Sequence, residues 1–291
     1  MIIGFLGLGE VGTSYSIGLV TEGATVKGYD ALMAVPGNED RFKKCADGGV
    51  KLVSSPKELV EGCDYIIAVT TSHVAVETAK TVQPYMKPGQ IFIELNSAWS
   101  EVKEEAKKIL SPVDVVDGAT MGSPLVHKHK TLILVSGEKG KQVADTLNGY
   151  GMNLRFVSDK FGTASKLKIV RSVFMKPMEA CLVECMVLAQ KAGIQKEIFE
   201  SICDTFSSAP VEKTLSAMIR SNPIHAKRRG EEVHAAIDIM AELGLDNAMT
   251  VAGTNKLLAI GNSGMKEALN GNVPEEIDTV LDAFLRNTNS K

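Results

Sequence analysis

The chain has 291 residues, 44% hydrophobic and 23% charged, enough for two packed domains that each bury a core. Its formal net charge of -3 supplies no strong field for nucleic acid or an anionic membrane, so neither partner is expected. Five cysteines (Cys45, Cys63, Cys181, Cys185, Cys203) are an odd set without framework spacing, which points to reduced thiols and the cytoplasm. The first residues are a β-like apolar run with no basic stretch, and no apolar run approaches the roughly 18 residues of a membrane span, so neither secretion nor insertion is expected.

In chain order, strands are predicted at 2–6, 25–29, weakly at 50–53, then at 65–69, 91–94, 113–117, 132–135 and 154–157, with helical segments between them. That alternation implies an α/β fold, a Rossmann-type, mostly parallel sheet flanked by helices. Ser55-Pro56-Lys57-Glu58 marks one helix start, a capping serine with proline at the first helical position. From Gly162 onward the period is helical throughout, punctuated near Pro210, Pro223, Gly244 and Pro274, and 287–291 reads as a frayed end. The expected division is a sheet domain over 1–160 and an all-helical domain over 161–291.

Gly7-Leu8-Gly9-Glu10-Val11-Gly12 joins the first strand to an apolar-faced helix, the context a dinucleotide loop requires. Gly7 permits the tight turn, Gly9 lets backbone amides of the loop, including those of Leu8, Glu10 and Val11, approach a pyrophosphate, and Gly12 lets helix and strand pack closely. The helix dipole favours the phosphate charge. Asp30, eighteen residues past Gly12, ends the second strand, where a carboxylate accepts hydrogen bonds from the adenosine ribose. It repels a 2′-phosphate and no arginine directly follows it, so NAD is expected ahead of NADP.

Three more segments follow predicted strands on the carboxyl edge, where open α/β sheets bind ligands: Thr70, Thr71 and Ser72, then Asn96 and Ser97, then 118–123. Asn96 and Ser97 are placed to orient the nicotinamide ribose or the substrate, with a helix-capping role before 99–110 as the alternative. Gly122 and Ser123 offer backbone and hydroxyl donors to a carboxylate.

The opening Ile3-Gly4-Phe5-Leu6-Gly7-Leu8-Gly9-Glu10-Val11-Gly12 resembles that of the β-hydroxyacid dehydrogenases, the family of 3-hydroxyisobutyrate and 6-phosphogluconate dehydrogenases. Val69-Thr70-Thr71-Ser72 with Ala75-Val76-Glu77, Glu94-Leu95-Asn96-Ser97, and Asp117-Gly118-Ala119-Thr120-Met121-Gly122-Ser123 are similar to successive family motifs. The C-terminal part resembles a less characterised branch, through Lys168-Ile169-Val170-Arg171-Ser172-Val173-Phe174-Met175-Lys176 and His225-Ala226-Lys227-Arg228-Arg229 with Glu231-Glu232. The resemblance implies the two-domain fold, the nicotinamide cofactor, a catalytic lysine, hydride exchange with a small hydroxy or keto acid, and dimers or larger assemblies, a homodimer being expected. Two departures imply that substrate recognition differs from the family's. The substrate loop usually reads serine-glycine-glycine where this chain has Met121-Gly122-Ser123, and paired asparagines usually follow the lysine where it has Arg171-Ser172.

Lys166, Lys168 and Lys176 share one predicted helix, and helical period separates them. Lys168, Arg171, Ser172 and Met175 stand at i, i+3, i+4 and i+7 on one face, whereas Lys166 points to nearly the opposite side. Lys168 is therefore the expected general acid and base, a role that requires its amine to titrate below an ordinary lysine. Arg171 and Ser172 join the substrate candidates, as do Arg228 and Arg229, read as preceding an amphipathic helix and reaching an anionic substrate. His127-Lys128-His129-Lys130 reads as an exposed loop rather than a metal site, and Cys181 and Cys185 as core thiols, so no metal is expected. An imine or enamine reductase on the same scaffold and a non-catalytic nucleotide sensor are the competing functions.

Overall fold

The computed structural model of the chain describes residues 1–96, 98 and 100–288, with Ser72, Ser100 and Thr288 described by backbone alone. It divides into two compact units, Met1–Ser172 and Val173 onward, while the expected boundary at 160/161 falls just before the long helix that follows the sheet. The first unit holds β1 (Ile2–Leu6), β2 (Thr25–Tyr29), β3 (Lys51–Leu52), β4 (Tyr65–Ala68), β5 (Ile91–Glu94), β6 (Asp114–Thr120), β7 (Leu132–Ser136) and β8 (Asn153–Ser158). Their spatial order is β3-β2-β1-β4-β5-β6-β7-β8, and every neighbouring pair is parallel except β6 with β7. The helices between them are α1 (Glu10–Thr21), α2 (Glu39–Asp47), α3 (Pro56–Val60), α4 (Ala75–Val82), α5 (Ser100–Leu110), α6 (Pro124–His127) and α7 (Gly140–Asn148).

The central strands β4 and β5 are buried along their whole length, as short apolar runs covered on both faces should be. Strand alternation sends Ile3 and Phe5 into one core layer with Leu8, Tyr15 and Val26, and Leu6 into the other with Leu59, Ile66 and Phe92. The expected start of α3 forms as a reciprocal cap: the Glu58 amide donates to Ser55 Oγ (3.2 Å) and the Ser54 amide to Glu58 Oε2 (3.0 Å).

Two local expectations in this unit are corrected. β6 runs on to Thr120, because Gly118, Ala119 and Thr120 pair antiparallel with Val135, Leu134 and Ile133 of β7. A Cβ on Gly118 would fall 2.1 Å from Leu95 Cδ2, so glycine lets the strand pass, and the loop expected from 118 begins only at Met121. In the His127–Lys130 segment, His129 is buried rather than exposed. Its ring occupies the space left by Gly18 of α1, where a Cβ would lie 2.1 Å from Nδ1, and its Nε2 stands 3.3 Å from Glu22 Oε1.

The helix α8 (Thr163–Ala192) begins in the first unit and continues into the second, which adds α9 (Gln195–Ser207), α10 (Val211–Glu242), α11 (Ala248–Gly261), α12 (Met265–Ala268) and α13 (Ile277–Thr288). Pro223 was expected to punctuate and instead lies inside α10. Close packing of α10 on α11 outweighs the roughly 3 kcal/mol that an interior proline costs. A Cβ on Gly261 would sit 2.6 Å from Lys227 Cα, and one on Gly230 2.9 Å from Leu258 Cδ2. His225, Arg228 and Arg229 are accordingly interior to this helix, not ahead of one. Cys181 and Cys185, expected in the core, are exposed together with Leu182 and Val183. The side chain that turns inward is Glu184, which caps α11 by accepting from Met249 N (2.7 Å), Thr250 N (2.9 Å) and Thr250 Oγ1 (2.8 Å).

Candidate active site

The glycine loop is built by close backbone approach. Gly7 has φ +99° and donates its amide to Tyr29 O (2.8 Å). A Cβ on Gly7 would lie 2.5 Å from Val69 O and one on Gly12 2.1 Å from Gly7 O, so both positions exclude a side chain. Nothing lies within 4 Å of a Cβ built on Gly9, and no side chain caps the start of α1 there. The space beside Gly9 is open and no side chain takes the first amides of α1, which suits an anion held at a helix N-terminus. Leu8 is fully buried and its amide is taken by Asp30 Oδ2 (2.8 Å), so Leu8 fixes the aspartate instead of facing a ligand with its side chain. Glu10 is exposed and Val11 half-buried.

Asp30 is held a second time by the Leu32 amide on Oδ1 (2.9 Å). A residue that sequence reasoning missed stands beside it: Arg41 of α2, whose Nη2 is 3.8 Å from Asp30 Oδ2 and whose guanidinium lies 4.6 Å from the Phe42 ring centre. Its Nε and Nη2 are buried without a hydrogen-bond partner. The open Gly9 cradle, the uncapped helix start and the fixed carboxylate together fit a dinucleotide.

The start of α8 is pinned by buried side chains from the sheet. Ala164 N donates to Ser136 Oγ (3.0 Å), and Ser165 donates its amide to Asp117 Oδ2 (2.9 Å) and its hydroxyl to Asp117 Oδ1 (2.5 Å). Asp117 also accepts from Ser136 Oγ (3.0 Å) and from Lys103 Nζ (2.9 Å). Lys103 is fully buried and gives its remaining protons to Glu94 O (3.0 Å) and Gly118 O (2.8 Å). Burial works to raise the Asp117 carboxyl, but Lys103 and Ser165 outweigh it and hold the group below its ordinary range.

Lys168 is three residues past Ser165 on this helix, half-buried, and its amine is pushed below the ordinary lysine value first by burial and then by the charge of Lys103. Ser172, on the same face, donates its hydroxyl to Lys168 O (2.9 Å). The other two lysines differ: Lys166 is exposed, and Lys176 is exposed and lies 3.6 Å from Glu179. Arg171 is also exposed.

Asn96 joins the ends of β4 and β5. Its Oδ1 accepts from the Thr70 amide and from Thr70 Oγ1 (3.2 Å), while its own amide and Nδ2 donate to Glu94 Oε1 (2.7 Å) and Oε2 (3.3 Å). Burial pushes the Glu94 carboxyl up to about 7, with Lys103 pulling against it. A continuous chain of contacts therefore runs from Thr70 through Asn96, Glu94, Lys103 and Asp117 to the first turn of α8. Thr71 is exposed, and the Ser97 expectation falls outside the described residues.

Among the substrate candidates, Met121 is tied by its amide to Leu132 O (2.8 Å) and packs against the cluster of Ala119, Leu134 and Ala164. Gly122 and Ser123 are exposed, Ser123 standing at the start of α6. Arg228 pairs with Glu232, and Arg229 donates to Ser221 Oγ (3.0 Å) in the second unit. Lys103 carried a signal in the sequence. It stands at i, i+3 and i+7 with Ala106 and Leu110, both buried, so it belongs to the inner face of α5. Among the described residues, no three His, Cys, Asp or Glu side chains are grouped to hold a metal ion and no helix is long and apolar enough to cross a membrane.

A doubly wound sheet with a glycine cradle and a carboxylate at the end of β2 defines a dinucleotide-binding domain. Residues 2–156 match the NAD binding domain of 6-phosphogluconate dehydrogenase, and residues 189–259 match a domain of unknown function (DUF1932). The chain is 30% identical over 234 residues to an uncharacterised 28.5 kDa protein of Methanothermus fervidus, covering 80% of this chain and 88% of that one. It is 22% identical to 2-(hydroxymethyl)glutarate dehydrogenase of Eubacterium barkeri, covering 90% and 88%. The fold is shared with the imine reductase from Myxococcus stipitatus solved in complex with NADP+, at a TM-score of 0.74 and 16% identity over 98% of this chain and 99% of that one. The chain belongs to the β-hydroxyacid dehydrogenase family, as an NAD(P)-dependent dehydrogenase acting on a CH–OH group.

Proposed function

We propose that this protein moves a hydride between NAD(P) and a small anionic hydroxy or keto acid, with Lys168 as the proton-transfer group. The observation that carries the reading is the half-buried Lys168, its amine depressed, one turn beyond the anchor that Asp117 makes with Ser165. When bound, the nicotinamide supplies a two-electron acceptor or donor at one ring carbon. Gly9, Glu10, Val11 and Gly12 offer their backbone amides to the pyrophosphate at the start of α1, Gly7 and Leu8 hold the turn through the amides they give to Tyr29 O and Asp30 Oδ2, and Asp30 receives the adenosine ribose hydroxyls. Thr70, Thr71 and Asn96 bound the nicotinamide end. In oxidation, neutral Lys168 Nζ takes the proton of the substrate hydroxyl. In reduction, its ammonium returns that proton to the carbonyl oxygen.

The substrate carboxylate is assigned to Ser97, Gly122, Ser123 and Arg171, with Met121 and Ser172 as further substrate contacts. Arg41 bears on cofactor choice. A cation beside Asp30 offsets the repulsion that the carboxylate alone exerts on a 2′-phosphate, so NADP is accommodated as well as NAD. The protein's odd set of cysteines favours the cytoplasm, and a homodimer is the form the reading assigns, with the exposed apolar residues of α8 (Val173 74%, Phe174 51%, Val183 59%) supplying surface for a second copy. Sedimentation showing only monomer at micromolar concentration would contradict the dimer.

The likeness to an imine reductase carries the second reading, reduction of a C=N bond on the same scaffold. A panel of small hydroxy acids with NAD or NADP, and of cyclic imines with NADH or NADPH, separates the two by near-ultraviolet absorbance of the reduced cofactor. Turnover of at least one hydroxy acid is expected. Turnover of imines alone overturns the proposal, and silence across both panels with cofactor bound would leave a nucleotide sensor.

A further inference from the structure

We propose that Lys103 is a positioning residue for Lys168: an ammonium locked between α5, β5 and β6 that anchors the first turn of α8 through Asp117 and sets a fixed positive charge beside the Lys168 amine. The inference rests on Lys168 as the proton-transfer group. Lys103 is fully buried, and its three protons go to one carboxylate and two backbone carbonyls at 2.8–3.0 Å, which leaves it no freedom to move or to seek water. Asp117 Oδ1 receives both Lys103 Nζ and Ser165 Oγ, so the cation and the helix that carries Lys168 share one oxygen atom.

Removing an ammonium from water costs several kcal/mol, and a buried ion pair is weak evidence for stability because apolar residues of similar volume often serve as well. A purely structural account leaves the charge without a purpose. Its position supplies one. Lys103 of α5 is the charge that acts on Lys168, the buried carboxylates linked to Lys103 are Asp117 of β6 and Glu94 of β5, and α8 itself carries the exposed Lys166 and Arg171. Asp117 is the anion that would favour a charged Lys168, but four donors enclose its two oxygens: Lys103 Nζ, Ser136 Oγ, and the Ser165 amide and hydroxyl. Glu94 is buried and turned toward Asn96. Lys103, which Asp117 holds in place, opposes protonation of Lys168 in the direction that burial already pushes, and Ser165 and Lys168 stand three residues apart on α8, so the pair that anchors Ser165 lies on the face that carries Lys168.

The test follows the Lys168 amine directly by side-chain 15N nuclear magnetic resonance, assigned with Lys168→Arg, beside the pH profile of kcat/KM for oxidation. In Lys103→Met the Lys168 midpoint and the acid limb of the profile should rise together by roughly one pH unit, so that turnover at pH 7 falls about tenfold. Should Lys103→Met fail to fold because Asp117 is left unpaired, Lys103→Met with Asp117→Asn removes both charges, keeps an acceptor for Ser165, and should show a smaller rise in the same direction. An unmoved Lys168 midpoint in either folded variant overturns the proposal. The resonance reports on the amine whether or not it is catalytic. An active Lys168→Ala enzyme would therefore sink the proton-transfer assignment, while the electrostatic link between the two lysines is judged by the midpoint alone.

Discussion

Replacing Glu94 by glutamine should remove a pH dependence of folding that this one carboxyl creates. Glu94 is fully buried at the end of β5, and burial raises it from the ordinary glutamate value of 4.5 to about 7 against the opposing pull of Lys103. The folded protein therefore holds this proton more tightly than the unfolded chain does. The resulting stability is complete below pH 4.5 and is lost as pH rises through about 7. Each pH decade in that interval is worth about 1.4 kcal/mol, so the loss from this group amounts to about 3 kcal/mol by pH 8. Glutamine keeps an acceptor for the Asn96 amide and carries no charge at any pH. Urea unfolding at pH 5, 6, 7 and 8 should give a wild-type stability that falls across the series and a Glu94→Gln stability that falls less by about that amount. Parallel pH slopes in the two proteins would refute the reasoning.

Three further expectations concern the cradle, the cofactor and the second unit. Gly9→Ala places a methyl in open space, so folding should stay within about 0.5 kcal/mol of wild type while NAD affinity drops, whereas Gly12→Ala drives a Cβ toward Gly7 O and should lose both fold stability and binding. Thermal unfolding and NAD titration of the two variants separate these effects, and equal behaviour would contradict the assignment. Arg41→Ala should weaken NADP binding about tenfold, the value of one charge-assisted contact, and leave NAD within twofold. An unchanged NADP to NAD ratio in cofactor titrations removes Arg41 from cofactor recognition. Glu184→Ala strips three hydrogen bonds from the start of α11 and should cost roughly 2 kcal/mol in denaturant unfolding, and a loss under about 0.5 kcal/mol would show that water replaces the cap.

What the sequence made legible tracks how local each signal is. β1, β2 and β5 are bounded as their apolar runs predict, and the glycine loop with Asp30 can be read from spacing because a dinucleotide cradle is set by a single strand-turn-helix unit. β6 extends past its expected end because its last residues answer to β7, a partner whose antiparallel direction no local pattern announces. Pro223 misled because the α10–α11 contact that overrides a proline is formed by Gly230 and Gly261, thirty-one positions apart in the chain. Cys181 and Cys185 looked apolar by company, yet the turn they flank is oriented by Glu184 reaching for the amides of α11. In the site, Lys168 separates from Lys166 by helical period alone. The period of α5 puts Lys103 on its inner face with Ala106 and Leu110, but no local pattern names Asp117 as the carboxylate that receives it until β6 is in place beside β5. Arg41 is eleven residues past Asp30, and only the fold of α2 against β2 brings the two together.

The central claim is that Lys168 moves the proton, and Lys168→Ala tests it most directly when turnover and cofactor affinity are measured on the same sample. Once the hydroxy acid panel has supplied a substrate, kcat in the variant should fall by roughly two to four orders of magnitude, with the dissociation constant for NAD or NADP unchanged within about twofold. Near wild-type turnover in a variant that still binds cofactor would contradict the account.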